Sequence, residues 1–321
     1  MLTSEKIKKY AKNCGADIVG VTSMDRFEGA PKQMDPRFIF PDAKSMIVLG
    51  FRIFRGVYRG IEEGTFFTAY SAMGYAGINY IYQPYVLWNV SKMIEDEGYE
   101  AIQIPNNFPF VNAGDTIGID RERIGKMDPN LSRPVSPDKP APDVFPHLRI
   151  AAFCAGLGQI GYSKMFLTPE FGPRQRIAAI ITDAPLEPDP LFNGELCDRC
   201  MLCVKACSMG AISRDKIVKT TVAGRQLEWA DIDYQKCSVG FCGGSRHANP
   251  FMVTPKDRKG FTHPDFLVAQ QYKLPAMYVY ARALEGAAGC TRACMIHLEK
   301  IGKIKNVFKS PFRKRKPWVL R

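Results

Sequence analysis

The chain has 321 residues, 46% of them hydrophobic, and a formal net charge of +12. That is enough for one large domain plus a small one, and no run of eighteen apolar residues predicts a membrane span. Four histidines, His147, His247, His263 and His297, supply histidine-based metal chemistry poorly, and no D-x-H-x-x-G cobalt-ligating motif occurs. The positive charge suits anionic partners such as nucleic acid, anionic lipid or an acidic redox protein.

Ser4 to Cys14 has the spacing of an amphipathic helix, with Ile7, Tyr10, Ala11 and Cys14 on one face and Gly15 after it. The opening stretch has no apolar signal core and no twin arginine, so a cytoplasmic location is expected. ADIVGVTS then reads as a buried strand, and Met46 to Phe51 as another. Gly56 to Ile81 is rich in glycine and aromatics: Tyr58, Phe66, Phe67, Tyr70, Tyr75 and Tyr80. It is either aromatic packing at the start of a helix or a wall against a large flat cofactor. Pro84 to Glu97 is a predicted helix, with Val86, Val90, Met93 and Ile94 apolar, and GYEAIQI a strand. Between Pro105 and His147 fall eight prolines and many charges. A loop this long in a compact domain is functional or a surface excursion, and an active-site cover is one of its two readings.

GLGQIG supplies G-x-G-x-x-G at Gly156, Gly158 and Gly161. A dinucleotide fingerprint needs a strand before it and a long helix after it. Thr168, Pro169, Gly172 and Pro173 break any such helix, so the glycines point instead to close backbone approach to another ligand. Arg174 to Asp183 closes the region as a strand, and the linker APLEPDP follows.

The most specific signal is Glu195 to Ser213. Cys197, Cys200, Cys203 and Cys207 give C-x2-C-x2-C-x3-C, the run that holds iron–sulfur clusters in bacterial-type ferredoxins. Two-residue gaps let a tight loop wrap three thiolates round one face of a cubane, and the longer gap starts a helix that carries the fourth away. In two-cluster proteins the fourth cysteine ligates the other cluster. The partition is then Cys197, Cys200, Cys203 and Cys294 for one cluster, and Cys207, Cys237, Cys242 and Cys290 for the other, eight of the ten cysteines. Cys14 and Cys154 read as buried thiols. A zinc site is the competing reading, but zinc prefers paired C-x2-C units; disulfides would need an oxidising compartment. After the second group the chain ends in KIGKIKNVFKSPFRKRKPWVLR, expected to be a solvated basic tail, with contact to lipid, tRNA or a partner as the alternative.

FPDAKSMIVLGF, the helix before GYEAI, CAGLGQIGYSKMFLTPEFGPRQRIAAIITDAPLEPD and CDRCMLCVKACSMGAI together resemble the cobalamin-dependent reductive dehalogenase and epoxyqueuosine reductase superfamily. The likeness runs from about residue 5 to 300, and LTPEFGPR and TDAPLEPD look more like the dehalogenase branch. The resemblance implies an α/β (α+β) fold. A nitroreductase-like domain, 1–185, binds a base-off cobalamin under the 105–147 loop. A ferredoxin-like module, 186–300, holds two [4Fe–4S] clusters, and a tail covers 301–321. Corrinoid contacts are expected at Gly156, Leu157, Gly158, Gly161, Thr168, Phe171 and Gly172.

The dehalogenase proton donor, a tyrosine, falls at or near Tyr80, with Tyr70, Tyr75 and Tyr82 close by. The basic residue common after GLG-x-x-G is replaced by Tyr162, which leaves Lys164 as the donor's basic partner. Epoxyqueuosine reductases carry an aspartate in D-Y-H where this chain has Asn79-Tyr80-Ile81, which favours the dehalogenase branch. The implied activity is reduction of a small organic, organohalide-like substrate, with reduced ferredoxin or flavodoxin as donor. A tRNA-directed reductase and a non-catalytic two-cluster electron carrier are the alternatives.

Overall fold

The structure, a computed structural model, describes residues 2–66, 69–106, 135, 144–241 and 287–316. Its centre is a four-stranded antiparallel sheet in the order β1-β2-β6-β3, with β1 Ile18–Ser23, β2 Ser45–Arg52, β3 Ala101–Ile104 and β6 Gln175–Thr182. Both faces are covered, which is why β2 and β6 read as unbroken apolar runs rather than alternating ones. Alternate residues serve different cores. Ile47, Leu49, Phe51, Ala178 and Ile180 face one; Met46, Val48, Ile177, Ala179 and Ile181 face the other.

The first core is closed by α1, Ser4–Asn13, and α3, Gln83–Asp96. Thr3 caps α1 by accepting from the Lys6 amide at 3.3 Å. Pro84 sits in the first turn of α3, where its missing N–H is not needed. Between α2, Arg59–Glu63, and α3 lies a π-helical segment, Tyr70–Tyr82, that carries the predicted tyrosines. The second core is closed by α4, Leu148–Cys154.

GLGQIG follows this helix and runs into the short hairpin β4, Gln159–Ile160, and β5, Phe166–Leu167. The order helix, glycines, strand is the reverse of a dinucleotide fingerprint.

The linker is not free. Ala184 and Leu186 are buried in the first core, and Asp189 accepts from Lys8 at 2.6 Å and from the Val21 amide at 2.8 Å. Beyond it come α5, Leu202–Lys205, the hairpin β7 Ile212–Val222 and β8 Arg225–Ile232, and α6, Tyr234–Phe241. A second π-helical turn, Ala287–Thr291, leads into α7, Arg292–Lys300. The expected helix at the x3 gap begins earlier: α5 contains Cys203 and stops before Cys207. The hairpin was not foreseen from the sequence. Its Trp229 packs in the second core, and Met295 of α7 in the first.

The expectation of a solvated tail needs correction over residues 301–316. Phe312 is 2% exposed and joins the first core. Arg55 pairs with Glu299 at 2.8 Å, donates to the Ser310 carbonyl at 3.0 Å and lies 3.7 Å from the Phe308 ring centre. Arg59 donates to the Phe312 carbonyl and stands over its ring at 4.2 Å. Arg313 pairs with Glu62, and Arg315 with Glu63. Two of its arginines are answered by α2 and Lys305 by Glu170, so the segment is a strap rather than a tail. Residues 317–321, most of the 105–147 loop and Cys242 lie outside the described residues.

Candidate functional site

Three cysteines of the first motif are held on a loop of unusual backbone. Arg199 and Met201 adopt left-handed φ values of 55° and 59°. Each costs about 1–2 kcal/mol for a residue with a Cβ, and such strain persists only where the surroundings impose it. A small hollow results, lined by Cys197, Cys200, Cys203 and, from α7, Cys294. This is the first predicted ligand set. Burial pushes the Cys294 thiol up, and the neighbouring Cys197, Cys203 and Cys200 thiols push it further. Four thiols gathered at one hollow, one buried and three half-buried, suit a cationic iron core, which takes them as thiolates.

The second set assembles beside it. Burial, then Cys237, Cys203 and Cys207, pushes the Cys290 thiol up to about 12. Burial and Cys207 raise Cys237. Three of the four predicted members are thus neighbours; the fourth, Cys242, is among the residues not described. Backbone amides donate to sulfur in both sets: Tyr162 to Cys197 at 3.3 Å and Ala211 to Cys207 at 3.2 Å. Donors of this kind tune a cluster's potential. Cys154 is buried as expected, whereas Cys14 is only half-buried.

The GLGQIGY segment is the seat of the first loop. A Cβ on Gly156 would meet the Pro190 carbonyl oxygen at 2.0 Å, and one on Gly158 the Leu167 carbonyl oxygen at 2.0 Å; both have positive φ. The chain's own backbone therefore accounts for these two glycines. Gln159 accepts with Oε1 from the Leu196 amide at 2.8 Å and the Cys197 amide at 3.1 Å, a role with no sequence signature. Leu157 packs on the second core. Gly161 lies against Leu167, and Gly172 against Leu298 and Ile304. The Thr168 hydroxyl bonds Gln175 at 3.1 Å and accepts from the Phe171 amide at 3.1 Å. This group braces the cysteine-bearing segment against the sheet.

The tyrosines separate by environment. Tyr82 is 43% exposed and donates to the Gly15 carbonyl at 3.1 Å. Tyr75 and Tyr80 are half-buried. Tyr70 is fully buried; the Arg176 Nη2 donates to its hydroxyl at 3.0 Å, and the same guanidinium covers the Tyr75 ring at 4.2 Å. Burial pushes Tyr70 up to about 12, with Arg176 opposing and Cys290 adding to the rise. Lys164 donates instead to the Tyr234 hydroxyl at 2.6 Å and lies over Trp229. The half-buried Arg149 donates to the Lys164 carbonyl at 2.7 Å, and its charge is felt by Cys237. Arg149 and Arg176 were not singled out from sequence; an arginine in an otherwise apolar helix or strand was the available signal. Among the described residues, the Tyr58 hydroxyl and both polar atoms of the Asn79 amide are buried without a partner, which suits a polar ligand group.

No protein-family model matches the chain. It is 36% identical over 113 residues to the tetrachloroethene reductive dehalogenase of Sulfurospirillum multivorans, covering 30% of this chain and 22% of that protein. It is 46% identical over 65 residues to the tetrachloroethene reductive dehalogenase of Desulfitobacterium hafniense, 19% of this chain and 12% of that one. It is 40% identical over 58 residues to the epoxyqueuosine reductase of Listeria monocytogenes, 18% and 15% of the two chains. The aligned parts are thus small fractions of these relatives. The catabolic reductive dehalogenase NpRdhA superposes with a TM-score of 0.51 at 19% identity, over 91% of this chain and 37% of that one. The curated relatives are reductive dehalogenases and epoxyqueuosine reductases, both oxidoreductases, and the mixed α/β fold resembles part of a reductive dehalogenase.

Proposed function

We propose that the protein is a corrinoid- and iron–sulfur-dependent reductase of the dehalogenase type, acting on a small organic substrate such as an organohalide. The observation that carries this is the hollow ringed by Cys197, Cys200, Cys203 and Cys294, with Cys207, Cys237 and Cys290 beside it. The donor set fits two [4Fe–4S] clusters, with Cys242 as the remaining ligand. Bound, the clusters supply one-electron transfer and the corrinoid a cobalt centre for reducing the substrate.

The chain's own part is to hold the thiolates, exclude water and deliver a proton. Tyr80 is the donor position given by the resemblance, and Tyr70 is the phenol beside a cation. At neutral pH burial keeps Tyr70 protonated, and Arg176 would stabilise the phenolate left after transfer. Lys164 then orders Tyr234 rather than the donor. Tyr70→Phe and Tyr80→Phe are each expected to keep the cofactors; the true donor is the one whose loss cuts turnover by about 10²–10⁴-fold. A reduced ferredoxin or flavodoxin is the proposed electron source.

Metal and corrinoid analysis of protein reconstituted anaerobically with iron, sulfide and cobalamin tests the reading. Corrinoid bands beside the iron–sulfur shoulder are expected; clusters alone would indicate a bare electron carrier. The epoxyqueuosine reductase relative and the +12 charge favour a second reading, a tRNA-directed reductase. Steeply salt-dependent binding of bulk tRNA in a gel shift would support it.

A further inference from the structure

A cavity of about 960 Å³ lies between α5, α7 and the strap. Five cations, Arg55, Lys205, Arg292, Lys300 and Arg313, line it against one carboxylate, Glu299. Three of the five are answered within the protein: Arg55 by Glu299, and Arg292 and Arg313 by Glu62. Lys205 and Lys300 are exposed, and no ion pair to either is recorded among the described residues. Apolar surface lies between them, including Leu202 at 36% exposure.

The position matters as much as the charge. Lys205 and Leu202 belong to α5, the short helix that carries Cys203. Lys300 ends α7, the helix that carries Cys294. Both helices that give thiols to the first cluster set therefore turn a cationic, partly apolar face outward. The second set lies elsewhere, toward the first core, where the Cys290 thiol is felt by Tyr58 and Tyr70.

We infer that this cavity is the docking site for an acidic electron-donor protein, which delivers one electron at a time to the first cluster set. The inference rests on the cluster reading above. Uncompensated lysines around an apolar centre match a carrier whose redox centre is ringed by carboxylates, and charge of this kind raises association rates by about 10–10³-fold. The electron balance is simple: the carrier is oxidised by one electron, the cluster reduced by one, and no bond is made.

The test is stopped-flow bleaching of the anaerobic, reconstituted protein by reduced flavodoxin, with the methyl viologen radical cation as a small positive reductant. Lys205→Glu/Lys300→Glu is expected to cut the flavodoxin rate about tenfold or more at low salt. The loss should shrink as salt shortens the range of the charges, and the viologen rate should not fall. Unchanged iron content and circular dichroism verify the fold; should the double variant fail these, Lys205→Gln and Lys300→Gln singly give the same reading at smaller amplitude. Equal flavodoxin rates for variant and parent would overturn the inference. So would a retained flavodoxin rate with lost tRNA affinity, which would give the cavity to nucleic acid. A parent protein that viologen cannot bleach, lacking iron and sulfide, would instead bring down the cluster reading itself.

Discussion

Gln159→Leu should loosen the first cysteine loop while leaving every thiol in place. Leucine keeps most of the side-chain volume but removes the oxygen that accepts from the Leu196 and Cys197 amides at 2.8 and 3.1 Å. Leu196 is 4% exposed, so water does not readily replace the lost acceptor there. Each hydrogen bond is worth about 1 kcal/mol net, and a buried donor left unpaired costs about 1–3 kcal/mol. The loss should therefore reach at least about 2 kcal/mol, a factor of roughly 30 in an equilibrium. With an m-value of about 2 kcal/mol/M, the urea midpoint falls by about 1 M. Anaerobic urea unfolding followed by circular dichroism gives the midpoint, and iron content after exposure to a chelator reports the loop itself. Gln159→Glu retains an acceptor for both amides and should behave like the parent. A leucine variant with the parent's midpoint and the parent's iron retention would refute the view that GLGQIGY seats the cluster loop.

Cys294→Ser should lower iron from about 8 to about 4 per chain, because it removes one ligand from the first set alone; loss of all iron would mean that the two sets are not separate. Phe312→Ala should cost about 3–5 kcal/mol in thermal or urea unfolding, as expected for truncating a fully packed aromatic; a near-neutral result would show the strap to be detached in solution. Burial holds His147 down at about 3 against an ordinary 6.5. Between those values the unfolded chain binds the proton that the folded one refuses, so its contribution is intact above about pH 6.5 and is lost as pH falls toward 3. His147→Asn keeps a side-chain acceptor for the Ile150 amide, which His147 now caps at 3.4 Å. It should move the acid-unfolding midpoint downward, and an unmoved midpoint would place the sensitivity elsewhere.

What the sequence determined by itself is whatever depends on neighbours along the chain. The C-x2-C-x2-C spacing fixes three thiols on one loop, since two-residue gaps allow little else. Apolar runs at Met46 to Phe51 and Ile177 to Ile181 mark central strands, and Pro84 and Gly15 mark helix ends. The meeting of Cys294 with Cys197, Cys200 and Cys203, nearly a hundred residues away, follows the expectation from ligand exchange, while the division of the thiols between two clusters belongs to the proposal. Tertiary structure decided the rest. Gln159 reaches the cluster loop only because the β4–β5 hairpin lies under it. Arg176 meets Tyr70 across the gap between a strand and a π-helical segment. The run of lysines and arginines after residue 300 looks solvated in one dimension; in three it binds Glu62 and Glu63 and buries Phe312. Charge pairing and hydrogen bonding between distant segments leave no periodicity in the sequence, so only the packed chain reveals which residue answers which.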